Sequence, residues 1–190
     1  MLHSEFDYVV VGGGSAGCCV AGRLSEDLST TVCLLEAGGS DDSVLVRAPL
    51  GFAATAPFKI NSWGYNTIPQ AGFNGREGFQ PRGKVMGGSS SVNAMVYTRG
   101  NANDYQQWAQ LGNEGWSYQD VLPYFKKAEN NECFGANHYR GVGGPLNVSF
   151  LRSPSPLNNA FMKACNEQGI PTNPDYNGAQ QFGVSPGQVT

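Results

Sequence analysis

Three glycines and one acid are the residues of this 190-residue chain whose types and spacing point most directly to chemistry. Gly12, Gly14 and Gly17 form a G-x-G-x-x-G run. That spacing lets a chain turn sharply, approach a pyrophosphate closely and seat a helix tightly on a strand. Glu36 follows nineteen residues after Gly17, where a dinucleotide-binding unit needs a carboxylate to accept hydrogen bonds from an adenosine ribose. NAD and FAD both carry an adenosine diphosphate, so this set alone does not separate them. A second candidate is Gly87-Gly88-Ser89-Ser90-Ser91, which combines permissive backbone with a row of small donors. It reads either as a nest of N–H groups beside a planar cofactor or as a solvated turn. The apolar Val92, Ala94, Met95 and Val96 behind it argue for burial.

Such groups work only if rigid elements hold them. Phe6 to Val11 reads as a short strand, apolar enough to sit centrally in a parallel sheet covered on both faces. Ser15 to Leu24 reads as a helix with Ala16, Val20 and Leu24 four residues apart, its N-terminus offering unpaired N–H groups and a positive dipole end to phosphates. Thr31 to Leu35 is a second buried strand ending in Glu36, so the glycine run lies inside a βαβ unit. Further along, Asp104 to Leu111 predicts a short helix with Tyr105, Trp108 and Leu111 turned to the core and Gly112 as its stop. Ser117 and Asp120 make a capping box for a helix through Glu129, which Pro123 is expected to kink. Ser155-Pro156 opens another helix, with Leu157, Phe161 and Cys165 on one face and Gly169-Ile170-Pro171 closing it. Residues 130–155 and the tail beyond Pro171 are rich in Gly, Pro and Asn and read as loops and short strands.

Composition bounds the partners. A net charge of −3 leaves no basic face for nucleic acid. No apolar stretch approaches the roughly 20 residues that cross a bilayer, and the start lacks a cationic leader with a cleavage site. Cys18, Cys19, Cys33, Cys133 and Cys165 show no metal-ligand or paired spacing, which fits small buried hydrophobes in a reduced, cytoplasmic protein. A peripheral membrane contact is left open. Only His3 and His138 are present, and His138 sits in a glycine-bounded polar loop, the setting of a solvated surface histidine rather than a base. No metal site is expected.

The stretch Pro81 to Tyr105, "PRGKVMGGSSSVNAMVYTRGNANDY", resembles the first signature of the glucose-methanol-choline (GMC) oxidoreductases, FAD-dependent enzymes acting on alcohols. "FDYVVVGGGSAG" and "LLEAG" resemble that family's ADP-binding opening. "WGYNT", "RGNANDYQQWAQLGNEGWSYQDVLPYFKKAE" and "GPLNV" resemble later stretches of the same family. The likeness runs almost end to end and is similar to choline-dehydrogenase-like and alcohol-dehydrogenase-like members. It implies an α/β fold, a Rossmann-like FAD-binding βαβ core with part of a substrate-binding domain, divided as 1–129 and 130–190. It implies that Gly12, Gly14, Ser15 and Gly17 surround the pyrophosphate and that Glu36 holds the ribose. Arg82, Val85, Gly87, Gly88, Ser89, Asn93, Ala94, Met95 and Val96 would line the ribityl chain and isoalloxazine. Some relatives attach FAD through a histidine just before the matching asparagine; Val92 stands there, so the resemblance implies FAD held non-covalently.

Oxidising an alcohol needs a base for the hydroxyl proton while hydride moves to flavin N5, and the sequence offers no catalytic residue for that role. The resemblance implies an N-terminal portion of a longer enzyme, inactive as this chain alone, with the remaining portion as a partner beside a small-molecule alcohol. Strands lacking neighbours from that portion should leave exposed edges and apolar faces, so the isolated chain is expected to be unstable or to aggregate. Two other classes stand beside the alcohol oxidoreductase: a flavin-containing non-redox lyase of the same family, and a nicotinamide-dependent dehydrogenase sharing only the βαβ unit.

Overall fold

The computed structural model describes residues 5–190, so His3 lies outside the described residues. The chain divides into two compact units, Met1–Met95 and Val96–Thr190. This division by packing falls well before the division by role at 129/130 drawn from the sequence.

In the first unit, β1 (Tyr8–Val11), α1 (Ser15–Leu24) and β2 (Val32–Leu35) form the expected βαβ unit. The strands pair in parallel, Tyr8 opposite Val32 through Val11 opposite Leu35. Their open end is tied by Asp7, whose carboxylate accepts from the N–H and the hydroxyl of Thr31, both at 2.8 Å. Those bonds hold the Asp7 carboxyl below its ordinary range. Next come α2 (Val44–Arg47), capped by Ser43, α3 (Phe52–Thr55), and the antiparallel pair β3 (Tyr65–Asn66) and β4 (Phe79–Gln80). Ala21 and Val85 are the buried hydrophobics of this unit.

The expectation that β1 is covered on both faces is not met. Its sheet has two strands, and Val9 and Val11 keep 54% and 82% of their surface exposed. The physical reason is geometric: β2 supplies one edge and α1 packs beside them, and nothing among the described residues supplies a further layer. The β-branched composition of the strand thus predicts a burial that the described residues do not provide.

The second unit holds α4 (Ala102–Gln110), α5 (Tyr118–Ala128), β5 (Glu129–Asn131), β6 (Leu146–Phe150), α6 (Pro156–Glu167) and β7 (Gln188–Val189). The boxes Asn101/Asp104 and Ser117/Asp120 cap α4 and α5, and Ser155 caps α6. Pro123 lies inside α5. β6 pairs in parallel with β5 and antiparallel with β7. The α4 face expected to be core is covered only at Tyr105, which is half-buried, and the apolar face of α6 is open as well. Leu111 is 76% and Leu157 77% exposed, and Trp108 and Phe161 are exposed as well. The aromatics instead meet edge to face, Trp108 with Tyr105 at 5.5 Å and with Trp116 at 5.7 Å between ring centroids, an arrangement that gathers them without a hydrophobic layer. No helix among the described residues is long and apolar enough to cross a membrane.

What fills the interior of this unit is charge. Glu129 is fully buried at the start of β5 and accepts from Arg99 Nη2 at 2.8 Å and Arg140 Nη1 at 3.1 Å. The amide of Gly141 at 3.0 Å and Asn131 Nδ2 at 2.9 Å complete its shell. Arg140 also pairs with Asp175 and donates to Gln188 Oε1 at 3.0 Å. Two arginines thus face two carboxylates, so the interior carries no net charge from them.

Removing one member of a buried pair strands its partner, at about 3–5 kcal/mol. Glu129→Ala should therefore cost that much in urea unfolding, whereas Arg23→Ala, which opens the exposed Arg23–Glu26 pair, should cost less than about 1 kcal/mol. Burial also pushes the Tyr118 and Tyr176 phenols and the Cys133 thiol up. The neutral forms are those the fold favours, so their contribution is full below the ordinary pKa of each and is lost as pH rises through the raised value. Tyrosinate absorbance should show the change: Tyr176→Phe should remove amplitude from the alkaline end of the titration, and a loss confined to its early part would contradict the burial.

Candidate functional site

The turn from β1 into α1 is built from backbone. Gly12 has φ of +103°, a region L side chains rarely adopt, and its N–H donates to Leu35 O at 2.7 Å. A Cβ on Gly17 would lie 1.8 Å from Gly12 O, so only glycine lets the helix sit this close to the turn. Gly14 is the N-cap of α1 and has no side chain to cap with, while Ser43, Asn101, Ser117 and Ser155 cap α2, α4, α5 and α6. The first N–H groups of α1 are thereby left to a ligand or water, together with the positive end of the helix dipole.

Glu36 ends β2 and clamps this turn: Oε2 accepts from Gly13 N–H at 2.7 Å and Oε1 from Gly38 N–H at 2.8 Å. A carboxylate oxygen has two acceptor sites, so each retains one for a hydroxyl.

The second glycine segment, more than seventy residues later, docks onto the first. Gly87 (φ +84°) donates its N–H to Gly13 O at 2.7 Å. A Cβ on Gly88 would lie 2.8 Å from Gly14 Cα, and Ser15 Oγ donates to Ser90 Oγ at 2.9 Å. Residues 88–91 form a single turn of 3₁₀ helix, secured by Ser91 Oγ donating to Met86 O at 2.7 Å. Of the two sequence readings of this segment, the solvated turn is thus excluded for Gly88, which is buried. The run after it is less enclosed than expected: Ala94 and Val96 are exposed, because nothing within the first unit covers the one and Val96 opens the second unit, where it bridges to Val189.

Between the two segments lies a cleft of about 740 Å³ lined by Gly12, Gly14, Ser15, Gly17, Glu36, Arg82, Gly88 and Ser89, with Val11, Ala16, Leu35, Ala37, Trp63 and Gly83. Val85 is fully buried behind this wall, bridged to Gly39, and Gly87 forms the turn that shapes it. Asn93 and Ala94 line a separate chamber of about 370 Å³ that shares Arg82, Gly83 and Ser89 with the cleft. Met95 lines a third cavity of about 250 Å³; its φ is +60° and its N–H donates to Asn93 Oδ1 at 2.6 Å. Arg82 makes no ion pair among the described residues. Trp63 escaped residue-level reading, although it stacks on Tyr65 at 5.8 Å and carries Lys84 Nζ at 4.6 Å over its ring; an aromatic next to Gly64 was its only local signal. His138 is exposed and packs edge-on against Tyr139. All five cysteines are unpaired, and no group of potential metal ligands is gathered among the described residues.

A parallel βαβ unit whose glycine turn, uncapped helix end and terminal acid share one cleft defines a dinucleotide-binding α/β protein. The GMC oxidoreductase family model matches residues 6–189, and the chain belongs to that family. It is 49% identical over 185 residues to an alcohol dehydrogenase [acceptor] of Pseudomonas putida, covering 97% of this chain and 34% of that protein. It is 47% identical over 188 residues to the mitochondrial choline dehydrogenase of Homo sapiens, covering 95% and 32%. Among solved structures it resembles pyridoxine 4-oxidase from Mesorbium loti, with a TM-score of 0.89 and 36% identity over 97% of this chain and 36% of that one. An FAD-dependent oxidoreductase from Chaetomium thermophilum gives 0.84 at 34% identity over 97% and 33%. The chain spans about a third of the length of the curated relatives it matches.

Two glycines of α1 separate close approach from intrinsic propensity. Gly17→Ala, which drives a methyl into Gly12 O, should destabilise the chain and shift the turn, whereas Gly22→Ala meets open space and should stabilise by roughly 0.5–1 kcal/mol. Urea denaturation of both variants checks this; equal effects would refute the steric reading.

Proposed function

We propose that this chain is the FAD-binding part of an oxidoreductase that takes hydride from the carbinol carbon of an alcohol. One observation carries the reading: the turn after β1 and the Gly87–Ser91 segment form a single cleft with N–H groups, a carboxylate and the Arg82 guanidinium on its wall. The residues fit the cofactor. Gly12, Gly14, Ser15 and Gly17 would bind a diphosphate through amides and the helix end, and Glu36 would take the ribose hydroxyls through its free acceptor sites. Arg82, Gly88 and Ser89 would hold the ribityl side, with Val85 and Gly87 behind them and the Asn93–Val96 run continuing toward the ring. When bound, FAD would supply the hydride acceptor, its ring N5. The chain's own contribution is to bind, orient and exclude water; the base for the hydroxyl proton is assigned to none of its residues.

Val92 occupies the place of the attaching histidine of some relatives, so the flavin is held without a covalent bond. The FAD-dependent neighbour and the relatives named alcohol and choline dehydrogenase support the class. The family match across 6–189 leaves the nicotinamide alternative, which shared only the βαβ unit, without support. We place the protein in the cytoplasm, in keeping with five unpaired cysteines, and assign the exposed face of β1 to the rest of the enzyme.

FAD titrated into dilute protein should be bound with quenching of flavin fluorescence, and acid denaturation should release all of it to the supernatant. Glu36→Gln should weaken binding at least about tenfold, because the carboxamide loses the charge that draws the ribose hydroxyls and keeps one acceptor oxygen for the two amides Glu36 braces. No binding by protein whose circular dichroism shows it folded, or by a form as long as the relatives, or NAD binding in preference, sinks the cofactor assignment. In a form as long as the relatives, a primary alcohol should bleach the flavin anaerobically; a spectrum that no alcohol bleaches would favour the lyase.

A further inference from the structure

At the end of α4 two tryptophans make an open recess within the second unit. Trp108 and Trp116 are both exposed, with ring centroids 5.7 Å apart and planes inclined at 63°. Inclined rings form a corner and leave indole faces to the space between them, where a flat stack would hide one face of each. The recess has a volume of about 330 Å³, which suits a small ligand. Asn113 is its third wall, its backbone N–H and its Nδ2 both donating to Trp108 O, at 3.2 and 2.9 Å. No lysine or arginine lies over either indole among the described residues, whereas the rings of Trp63, Phe73 and Phe79 carry Lys84, Arg76 and Lys59.

The charges around this corner favour a cation. α4 has Asp104 in its first turn and no basic residue in its last, so the negative end of its dipole, beside Trp108, has no cation of its own. By contrast α1, α2 and α5 carry Arg23, Arg47 and the pair Lys126 and Lys127 in their last turns. Glu114, exposed in the turn between Asn113 and Trp116, adds a full negative charge. The kind of cation follows from the wall. An ammonium with N–H groups would need acceptors in place of its water, and no carboxylate lines the recess. A quaternary ammonium has no N–H to strand, and its methyl groups bury against indole while its charge meets the negative ring faces. We propose that the Trp108–Trp116 corner is a binding site for a small quaternary ammonium cation. It stands apart from the cofactor reading, because none of its three lining residues is assigned to the flavin and all belong to the second unit.

The test is saturation-transfer NMR of the full chain in dilute solution, with tetramethylammonium as the probe and ionic strength held fixed. Its methyl protons should receive saturation from indole protons, and neopentyl alcohol, of similar shape but uncharged, should bind at least about tenfold more weakly. Trp116→Phe should weaken the probe's binding several-fold and Trp116→Ala at least about tenfold, following the order of cation attraction among aromatic rings. Glu114→Lys, a change at an exposed turn residue, should also weaken it without altering the circular dichroism, which keeps the test sound if the alanine variant fails to fold. Equal binding of the neutral alcohol would reduce the corner to an apolar patch and overturn the proposal. Folded Trp116 and Glu114 variants that bind as the parent does would overturn it too. So would a form as long as the relatives that no longer binds the probe, since the corner would then be covered by further chain, or a signal lost as the protein dimerises at higher concentration.

Discussion

Backbone meeting backbone is the constraint on which the site depends. Gly87 N–H reaches Gly13 O, and Gly88 lies so near Gly14 that no Cβ fits between them. A side chain at any of these contacts would separate the segments by an ångström or more, and the cleft would lose its shared wall. The same closeness explains why Glu36 bonds two amides and no side chain: with the turn stripped of side chains, its geometry has to be held by a neighbouring element. The acid often read as a ribose partner is therefore first a brace for the glycine turn, and it reaches into the cleft with the acceptor capacity left over.

The second unit solves a different problem. With its large hydrophobics exposed on α4 and α6 and few buried apolar side chains, Leu122 and Val148 among them, its interior is organised by Glu129, Arg140, Arg99, Asp175 and Gln188. Such a network adds little net stability over a hydrophobic equivalent. It does fix geometry, because Arg99 and Arg140 converge on Glu129 and Arg140 is held by Asp175 as well. Tyr176, donating to Tyr97 O at 2.6 Å and accepting from Gln188 N–H at 3.1 Å, extends that order to the segment just after Val96.

Much of this was legible in the sequence where the signal was local. The G-x-G-x-x-G turn, the span of α1 and the capping box of α5 each depend on residues within a few positions of one another and appear where expected; β1 and β2 begin two and one residues later than expected, and the Asn101/Asp104 box that starts α4 two residues before Asp104 went unread. Apolar periodicity was read correctly as helix in α4 and α6 but, for the aromatics of α4, wrongly as burial of Trp108, since periodicity reports which face is apolar and not whether anything covers it. The buried ion network left no trace, because Arg99, Glu129, Arg140 and Asp175 are far apart in sequence and each alone resembles a surface charge. Trp63 was missed for the same reason: its place on the cleft wall is set by tertiary packing.

The order of charge along the cleft sets a direction for whatever binds there. Glu36, at the end of β2, presents an anion that favours hydroxyl donors. The uncapped start of α1 presents N–H groups and a positive dipole end that favour an anion. Arg82 adds a full cation where cleft and apolar chamber share a wall. A ligand with a diol, then a diphosphate, then a flat and partly apolar group would match these demands in one orientation; reversed, its diphosphate would stay central while the flat group met the Glu36 carboxylate and the diol met Arg82. These three groups share one wall because the Gly87–Gly13 and Gly88–Gly14 contacts bring their segments together.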